Sequence, residues 1–299
     1  MQSTLNTNRR YPSRYRPSWP MRPTAHLSTE EKLRLLNEIA IAEERFLADY
    51  SALLEAFLDD NAPEVRLAAI RLLWEYPEPR FVERLIAKCD DPSFDVRLAA
   101  LDVLGRHIYE GEASEEPADE SPWESITAPL RTASRRTVAF LVCFYRNPDR
   151  PLEERRHALE AAAFSRSPEV GALIEEAYHS NDRELQLSAI AAMGHNGDSR
   201  WSPIVLREIE NPDPNVRIEA VRAAGEMGLK AAVPTLMRYA RRTSVPRGLR
   251  FWSIFALGQI GTPSALPLLE RLSVAPDQEI ATTARTALDE WYYVNNESD

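Results

Sequence analysis

The stretch Glu64-Val-Arg-Leu-Ala-Ala-Ile70 returns almost unchanged as Asp95-Val-Arg-Leu-Ala-Ala-Leu101. Four more segments repeat the pattern and a degenerate seventh follows, so that the third residues of the segments stand at positions 66, 97, 155, 186, 217, 250 and 281. The steps are 31, 58, 31, 31, 33 and 31 residues, a period of about 31 with one long insertion after the second segment. Such a period is typical of a protein whose neighbouring repeats bury a shared core.

Each period contains two helical segments. The first often has a proline in its first turn, as at Pro203 and Pro234, where the missing N–H would have no partner in the helix. A short turn follows, such as Asn211-Pro212-Asp213-Pro214, and caps the second helix. We expect the second helices to end near glycines, at Gly105, Gly194, Gly225 and Gly258.

A helical wheel that takes the third residue of each segment as zero predicts the core. Positions +3, +4 and +7 fall on one face and are apolar, and position +3 is Ala or Ser in the first six repeats, which favours close packing of helices. The predicted core residues of those repeats are Ala69, Ile70, Leu73, Ala100, Leu101, Leu104, Ala158, Leu159, Ala162, Ala189, Ile190, Met193, Ala220, Val221, Ala224, Ser253, Ile254 and Leu257. In the seventh repeat Arg285 takes an aliphatic position, as a terminal cap requires.

The Asp/Asn-Pro turn, the Val-Arg pair (Val65-Arg66, Val96-Arg97, Val216-Arg217) and the Ala-Ala-Leu/Ile that follows resemble the HEAT repeat family. They resemble its short bacterial form, found in phycobilin-lyase-like proteins, and the resemblance covers about residues 47–293. It implies an all-α fold, a right-handed α-α superhelix of about seven helical pairs with terminal capping helices. It implies little about function, which depends on the residues placed on such a scaffold.

The composition predicts three parts. Residues 1–27 form a basic and aromatic arm with five arginines and no acid, which we expect to be disordered. Residues 28–299 form the solenoid, and Ser28-Thr29-Glu30-Glu31 predicts the start of an N-terminal capping helix. Residues 110–134 form a loop insertion with seven acids before its first base, Arg131.

Charge and cysteine content exclude several classes of protein. The net charge is −10, and because the arm carries +5, the remainder carries −15, which disfavours a groove for nucleic acid. No apolar run reaches the roughly 18 residues that span a membrane. Cys89 and Cys143 give no disulfide framework, and Cys143 lies in an apolar run that places it in the core. These features predict a cytoplasmic protein.

The residues needed for catalysis are missing. The five histidines show no His-x-x-x-His spacing, and no Cys-x-x-Cys pair, Gly-rich phosphate loop or Gly-x-Ser-x-Gly elbow occurs. A hydroxylase family built from HEAT repeats ligates iron with His-Glu dipeptides, and this sequence has none. We therefore predict that the protein is not an enzyme, with no catalytic residue, metal or cofactor.

A candidate binding surface follows from wheel positions +2, +5 and +9, which face away from the core. In HEAT repeats the second helices line the concave side. Trp252 and Phe255 of the sixth repeat occupy solvent-facing positions there, with Gln259 on the same helix and Arg222 and Glu226 on the neighbouring one. Exposed aromatic residues beside arginine are typical of an interface hot spot. Alternatively, Trp252 and Phe255 pack against the turn of this repeat, which is two residues longer.

The arm is the second candidate. Its basic and aromatic residues are Arg10, Tyr11, Arg14, Tyr15, Arg16 and Trp19. Three targets fit that chemistry: an acidic partner, nucleic acid bound by stacking and charge, or the acidic loop of the same chain. A passive, solubilising tail is the other interpretation.

These features favour a non-catalytic scaffold, adaptor or accessory subunit that grips a protein partner, in a larger complex, through its concave groove and its arm. Two alternatives belong to other classes. The first is a phycobilin-lyase-like chaperone for cofactor attachment, which the repeat subtype suggests. The second is a nucleic-acid-binding HEAT-like protein, which the mixed charge of the groove disfavours. The sequence predicts no membrane insertion and no small-molecule substrate.

Overall fold

The computed structural model describes residues 26–41, 50–113 and 124–296. Within those ranges the regular structure consists of helices, as the periodicity predicts, and the all-α fold class is confirmed. The chain divides into two compact units, Met1–Ser165 and Arg166–Asp299. Each unit is a stack of helical pairs.

Unit 1 contains an N-terminal helix and three helical pairs. The N-terminal helix packs against the second helix of the first pair, as expected of a cap. Its predicted start is confirmed, since Ser28 N–H donates to Glu31 Oε2 at 2.8 Å and Glu31 N–H to Ser28 Oγ at 3.3 Å. The helices are α1 (Thr29–Ile41), α2 (Ser51–Phe57), α3 (Pro63–Leu73), α4 (Val82–Lys88), α5 (Phe94–Glu112), α6 (Glu124–Arg146) and α7 (Leu152–Ala162).

Unit 2 contains four helical pairs. Prolines stand in the first turn of several of its first helices, Pro203 and Pro234 among them, as the sequence predicts. The helices are α8 (Pro168–Tyr178), α9 (Arg183–Asn196), α10 (Ser202–Glu208), α11 (Pro214–Glu226), α12 (Val233–Arg241), α13 (Arg247–Ile260), α14 (Leu266–Ser273) and α15 (Gln278–Asn296). Together with the three pairs of unit 1, they account for the seven pairs expected.

The core is the one that the helical wheel predicts. All eighteen residues at positions +3, +4 and +7 of the first six repeats are at most 1% exposed. The one polar member, Ser253, donates its hydroxyl to the carbonyl oxygen of Leu249 at 2.7 Å, so its burial leaves no donor unpaired. Arg285 is exposed, which confirms the polar outer face of the last repeat.

The arginine of the repeat motif fixes the turn between the two helices of its own pair. Arg66, Arg97 and Arg217 each donate from Nη1 to the carbonyl oxygen six residues earlier, at 2.8 Å. Gln186 replaces the arginine in the fourth repeat and donates from Nε2 to the corresponding oxygen of Ser180 at 2.7 Å. Since these bonds satisfy carbonyl groups of tight turns, the motif arginines stabilise the fold.

The expectation that the second helices end near glycines is confirmed for α9, α11 and α13, which end at Asn196, Glu226 and Ile260, and is wrong for α5, which continues through Glu112. Gly105, Gly194, Gly225 and Gly258 lie inside α5, α9, α11 and α13. Left-handed φ angles occur just beyond helix ends instead, at Gly197, Gly228 and Gly261. A Cβ on any of the four interior glycines would lie within 3.0 Å of an alanine of the next second helix, Ala161, Ala223, Ala256 and Ala287 respectively. The missing side chain therefore permits close packing between helices.

The predicted loop insertion at 110–134 is helical at both ends. Helix α5 continues through Glu112 and α6 begins at Glu124, and residues 114–123 lie outside the described residues. One face of the early part of α6, including Ala133 and Thr137, is buried, and α6 packs against α5. This packing stabilises a helix in the second half of a segment that was predicted to be a loop because its first half is acidic.

Cys143 does not lie in the core, so that prediction is wrong. Its side chain is exposed on α6, whereas Leu141, Val142, Phe144 and Tyr145 are buried. A helix turns by about 100° per residue, and an apolar run of seven residues therefore places some members on the solvent side.

Candidate protein-binding surface

The second helices of unit 2 form one layer. Helix α9 packs against α11, α11 against α13, and α13 against α15, in each case through one of the glycine–alanine contacts. The side chains at wheel positions +5 and +9 of all four helices are half-buried or exposed. They are His195, Glu226, Gln259 and Glu290 at +9, with Ala191, Arg222, Phe255 and Thr286 at +5.

Three of the predicted residues are brought into contact on α11 and α13. The Arg222 guanidinium carbon lies 4.7 Å from the centroid of the Trp252 ring, and the Trp252 and Phe255 rings meet edge to face with centroids 5.9 Å apart. Arg222 also pairs with Glu219, with 3.0 Å between Nη1 and Oε2. We call Arg222, Trp252 and Phe255 the aromatic patch. All three side chains are half-buried, so the patch is both packed and open to solvent.

Trp252 also contacts neighbours on its own helix, and the alternative that it packs against the longer turn of this repeat stays a prediction. Its ring also meets the Phe251 ring edge to face at 5.2 Å between centroids. These contacts limit the rotamers of Trp252 while part of the ring stays accessible. Its role in binding stays a prediction.

Glu226 and Gln259 flank the patch at position +9 and cover the helix contacts. Glu226 Oε2 lies 3.8 Å from His195 Nε2 on α9, and 2.5 Å from the position that a Cβ on Gly194 would take. The Gln259 side-chain oxygen covers Gly225 in the same way. These two side chains therefore occupy the space that the glycines leave open.

The predicted arm residues lie outside the described residues. They are Arg10, Tyr11, Arg14, Tyr15, Arg16 and Trp19. Their contribution to binding stays a prediction.

A second cluster of arginine and aromatic side chains occurs in unit 1 and was missed by the sequence reasoning. The Arg106 guanidinium carbon lies 5.1 Å from the Tyr109 ring centroid and 5.9 Å from that of Trp74. Tyr109 meets Phe164 edge to face at 6.0 Å and is 42% exposed. Glu110 holds Arg106 in place, with 2.6 Å between Oε1 and Nη2. Arg106 and Phe164 stand at position +9 of neighbouring repeats, which is the signal that could have revealed the cluster.

An ion pair crosses from α5 to α7 beside this cluster. His157 Nδ1 lies 2.7 Å from Asp102 Oδ1. The hydrogen bond to Asp102 raises the pKa of His157 above its ordinary value of 6.5, against the opposing effect of burial, and the charges of Asp102, Glu160 and Glu153 act in the same direction as the bond.

The His157–Asp102 pair predicts a pH-dependent stability. A raised pKa means that the stabilisation is fully present below the unfolded value near 6.5 and is lost as pH rises through the folded value above it. We expect His157→Gln to lower the free energy of unfolding by about 0.5–1 kcal/mol at pH 6 and by less at pH 9. Urea denaturation at both pH values measures the difference. Asp102→Asn should reproduce the effect, and a loss that is equal at the two pH values would contradict the assignment.

The described parts of the chain contain neither a candidate metal site nor a helix that could span a membrane. Residues 26–41, 50–113 and 124–296 contain no group of three or more His, Cys, Asp or Glu side chains placed to hold a metal ion. In the same ranges no helix combines the length and the hydropathy needed to cross a bilayer.

The repeat geometry matches a known family. A family model for HEAT repeats matches residues 50–119 and 202–289, together more than half of the chain. The chain belongs to the HEAT repeat family. The resemblance predicted from the Val-Arg motif is therefore confirmed, while the comparison with curated protein sequences gave no match.

Several solved structures are similar to this HEAT-repeat protein. The complex of CpcE and CpcF of phycocyanin lyase from Nostoc sp. PCC7120 is similar at 19% identity and a TM-score of 0.51, over 82% of this chain and 92% of that chain. Human deoxyhypusine hydroxylase is 18% identical at a TM-score of 0.40, over 91% and 100%. Yeast importin-beta is 13% identical at 0.47, over 88% and 39%. At these identities the likeness concerns the fold alone.

Proposed function

We propose that this HEAT-repeat protein is a non-catalytic scaffold that holds a protein partner against the aromatic patch, with a contribution from its basic arm, in the cytoplasm. The observation that carries the proposal is the stack of Arg222 on Trp252 beside Phe255. Tryptophan and arginine are the residues most enriched at binding hot spots. Their contacts with each other leave little side-chain entropy to lose when a partner covers them.

The charges around the patch favour a protein over a nucleic acid. Glu219 and Glu226 flank Arg222 on α11, and Arg222 is already paired with Glu219. Carboxylates at this spacing repel a phosphate backbone, whereas a protein surface offers both signs of charge. The likeness to the phycocyanin lyase complex is a likeness of fold, and it supports no chromophore chemistry for these residues.

The charge of the arm supports its role in binding a partner. Five arginines without an acid precede a remainder of −15, so the arm carries the charge opposite to that of the repeats. An acidic segment of the partner would be attracted to the arm while a hydrophobic side chain fills the patch.

The patch is tested by the variant Trp252→Ala. Loss of an anchor that becomes buried in the complex should cost about 2 kcal/mol of binding free energy or more, equivalent to a roughly 30-fold weaker affinity. The stability of the free protein should fall by less than the 3–5 kcal/mol typical of a fully buried ring, because Trp252 is only half-buried. The partner is recovered by pull-down from the native organism, and affinity is then measured by calorimetry together with thermal denaturation of each variant.

The matched control is Tyr292→Ala. Tyr292 is an exposed aromatic residue of the same unit, on α15, and does not belong to the patch. Its removal should leave the affinity unchanged. The proposal is wrong if Trp252→Ala binds the recovered partner as tightly as Tyr292→Ala does.

A further inference from the structure

The end of α12 and the turn that leads to α13 carry the sequence Arg241-Arg242-Thr243-Ser244-Val245-Pro246. It belongs to the repeat step of 33 residues, the one that departs from 31 by two. Residues 241–244 and Pro246 are exposed, and Val245 is half-buried. The backbone is extended at Arg242, with φ −85° and ψ 123°, and at Pro246, with φ −51° and ψ 137°. The turn therefore presents a short, accessible segment that is extended at both ends.

The two arginines of this turn differ from their neighbours in their pairing. Arg238 pairs with Glu210, and Arg247 pairs with Asp277 and Glu279. Within the described residues the structure gives Arg241 and Arg242 no ion pair or hydrogen bond from their guanidinium groups. Two unneutralised positive charges thus stand three and two residues before the Ser244 hydroxyl, on a chain whose net charge is −10.

We propose that Ser244 is a phosphorylation site for an ATP-dependent protein kinase whose substrate cleft is acidic. Kinases select substrates largely by the charge pattern around the acceptor hydroxyl, and the acceptor must reach the cleft on an accessible segment. A serine that follows two arginines, with one residue between, and precedes an apolar residue meets both conditions. In the transfer, an aspartate of the kinase accepts the Ser244 hydroxyl proton while the oxygen attacks the γ-phosphorus of ATP. The new O–P bond forms, the bond to the bridging oxygen breaks, and ADP leaves.

The arginines around Ser244 would also stabilise the phosphoserine that the reaction produces. A phosphoserine adds a charge of about −1.5 to −2 and three acceptor oxygens. Arg241, Arg242 and Arg247 stand within three residues of it in the sequence, and guanidinium groups form strong charge-assisted hydrogen bonds with phosphate. Arg247 is also the first residue of α13, the helix that carries Trp252. Phosphate at this turn would compete with Asp277 and Glu279 for Arg247.

The chain supplies an internal comparison. The tripeptide Arg-Arg-Thr of the turn occurs again as Arg135-Arg136-Thr137, but inside α6. Thr137 is fully buried, and its hydroxyl donates to the carbonyl oxygen of Ala133 at 2.8 Å. The same tripeptide there, with Arg136 paired to Glu83, presents a hydroxyl that a kinase cannot reach.

The experiment incubates the full chain with the catalytic subunit of cAMP-dependent protein kinase and Mg-ATP, and maps the product by tandem mass spectrometry. We expect phosphate on Ser244, and a loss of that incorporation in Ser244→Ala. The double variant Arg241→Ala with Arg242→Ala should slow labelling of Ser244 by about tenfold or more, because it removes the charge pattern that the cleft recognises. The matched pair Arg135→Ala with Arg136→Ala should leave the rate unchanged.

Three results would overturn the assignment. The first is phosphate on Thr243, or on the arm serines Ser13 and Ser18, with none on Ser244. The second is an equal rate for the two double-arginine variants. The third is labelling of Ser244 in a synthetic peptide of residues 238–250 but not in the folded chain, since the proposal rests on its accessibility in the folded turn. None of these outcomes depends on binding by the aromatic patch.

Discussion

Replacing Asp91 by alanine is expected to lower the free energy of unfolding by about 3–5 kcal/mol. The Asp91 side chain is 3% exposed, and it accepts two hydrogen bonds from Arg66, at 2.6 Å from Nη2 and 2.8 Å from Nε. It also accepts the backbone N–H of Ser93 at 3.0 Å. Without Asp91, the buried guanidinium of Arg66 loses the carboxylate that pairs with it and two hydrogen-bond acceptors. Urea denaturation followed by circular dichroism measures the loss.

The matched control is Asp59→Ala in the same unit. Asp59 also contacts two basic residues, at 2.8 Å from Lys88 Nζ and 2.7 Å from Arg84 Nη1, but its side chain is 53% exposed. Its loss should cost at most about 1 kcal/mol. The double variant Arg66→Met with Asp91→Leu should recover only part of the stability lost in Asp91→Ala, because no unpaired charge stays buried but the Asp60 carbonyl loses the hydrogen bond from Arg66. Equal losses for Asp91→Ala and Asp59→Ala would show that the buried pair contributes no more than an exposed one.

Acid should reduce the difference in the free energy of unfolding between the natural protein and Asp91→Ala. Burial opposes ionisation of Asp91, but the hydrogen bonds from Arg66 and Ser93 and the charges of Arg66 and Lys88 outweigh it and hold the pKa below its ordinary value of 3.8. For a lowered pKa, the stabilisation is present above the unfolded value and is lost as pH falls through the folded value. The gap between the natural protein and Asp91→Ala should therefore narrow only in strongly acidic solution.

The repeat period and the helical wheel were sufficient to predict the fold because both depend on local sequence. The burial of Ile70 or Leu104 can be predicted from the apolar periodicity of the helix that contains it. The role of Gly225 was not predictable in this way, because it depends on Ala256 of another helix. A glycine near the end of an apolar pattern fits a helix terminus and a close helix contact equally well, and the choice is made by the neighbouring repeat.

The candidate surface also contains residues that the repeat pattern predicts and residues that it does not. Arg222, Trp252 and Phe255 were predictable as neighbours because wheel positions +2 and +5 of adjacent second helices lie on the same side of the stack. The cluster around Arg106 includes Tyr109, which lies on the part of α5 that extends beyond the usual repeat helix. The insertion concealed that extension, so the wheel stopped before reaching it.

The variant Gly258→Val is expected to destabilise unit 2 by about 3 kcal/mol or more. A Cβ at Gly258 would lie 2.8 Å from Ala287 Cα and 2.9 Å from its carbonyl carbon, and closer still to its carbonyl oxygen. These are backbone atoms of α15, so no side-chain rotation can relieve the clash and the two helices must separate. Helix propensity acts in the opposite direction, since valine is more favourable than glycine in a helix by a few tenths of a kcal/mol. The steric cost is several times larger and decides the sign.

Gly248→Val provides the control on the same helix. Gly248 is exposed in the first turn of α13, and a Cβ there would meet one atom, Ile218 Cδ1, at an ordinary contact distance of 3.5 Å. The free energy of unfolding of Gly248→Val should differ from that of the natural protein by no more than about 0.5 kcal/mol. Thermal and urea denaturation compare the two variants, and hydrogen exchange of the α13 and α15 amides reports whether the loss arises where the helices touch. If Gly258→Val unfolds at the same urea concentration as Gly248→Val, the close approach of α13 and α15 is wrong, and the interior glycines of the repeats need another explanation.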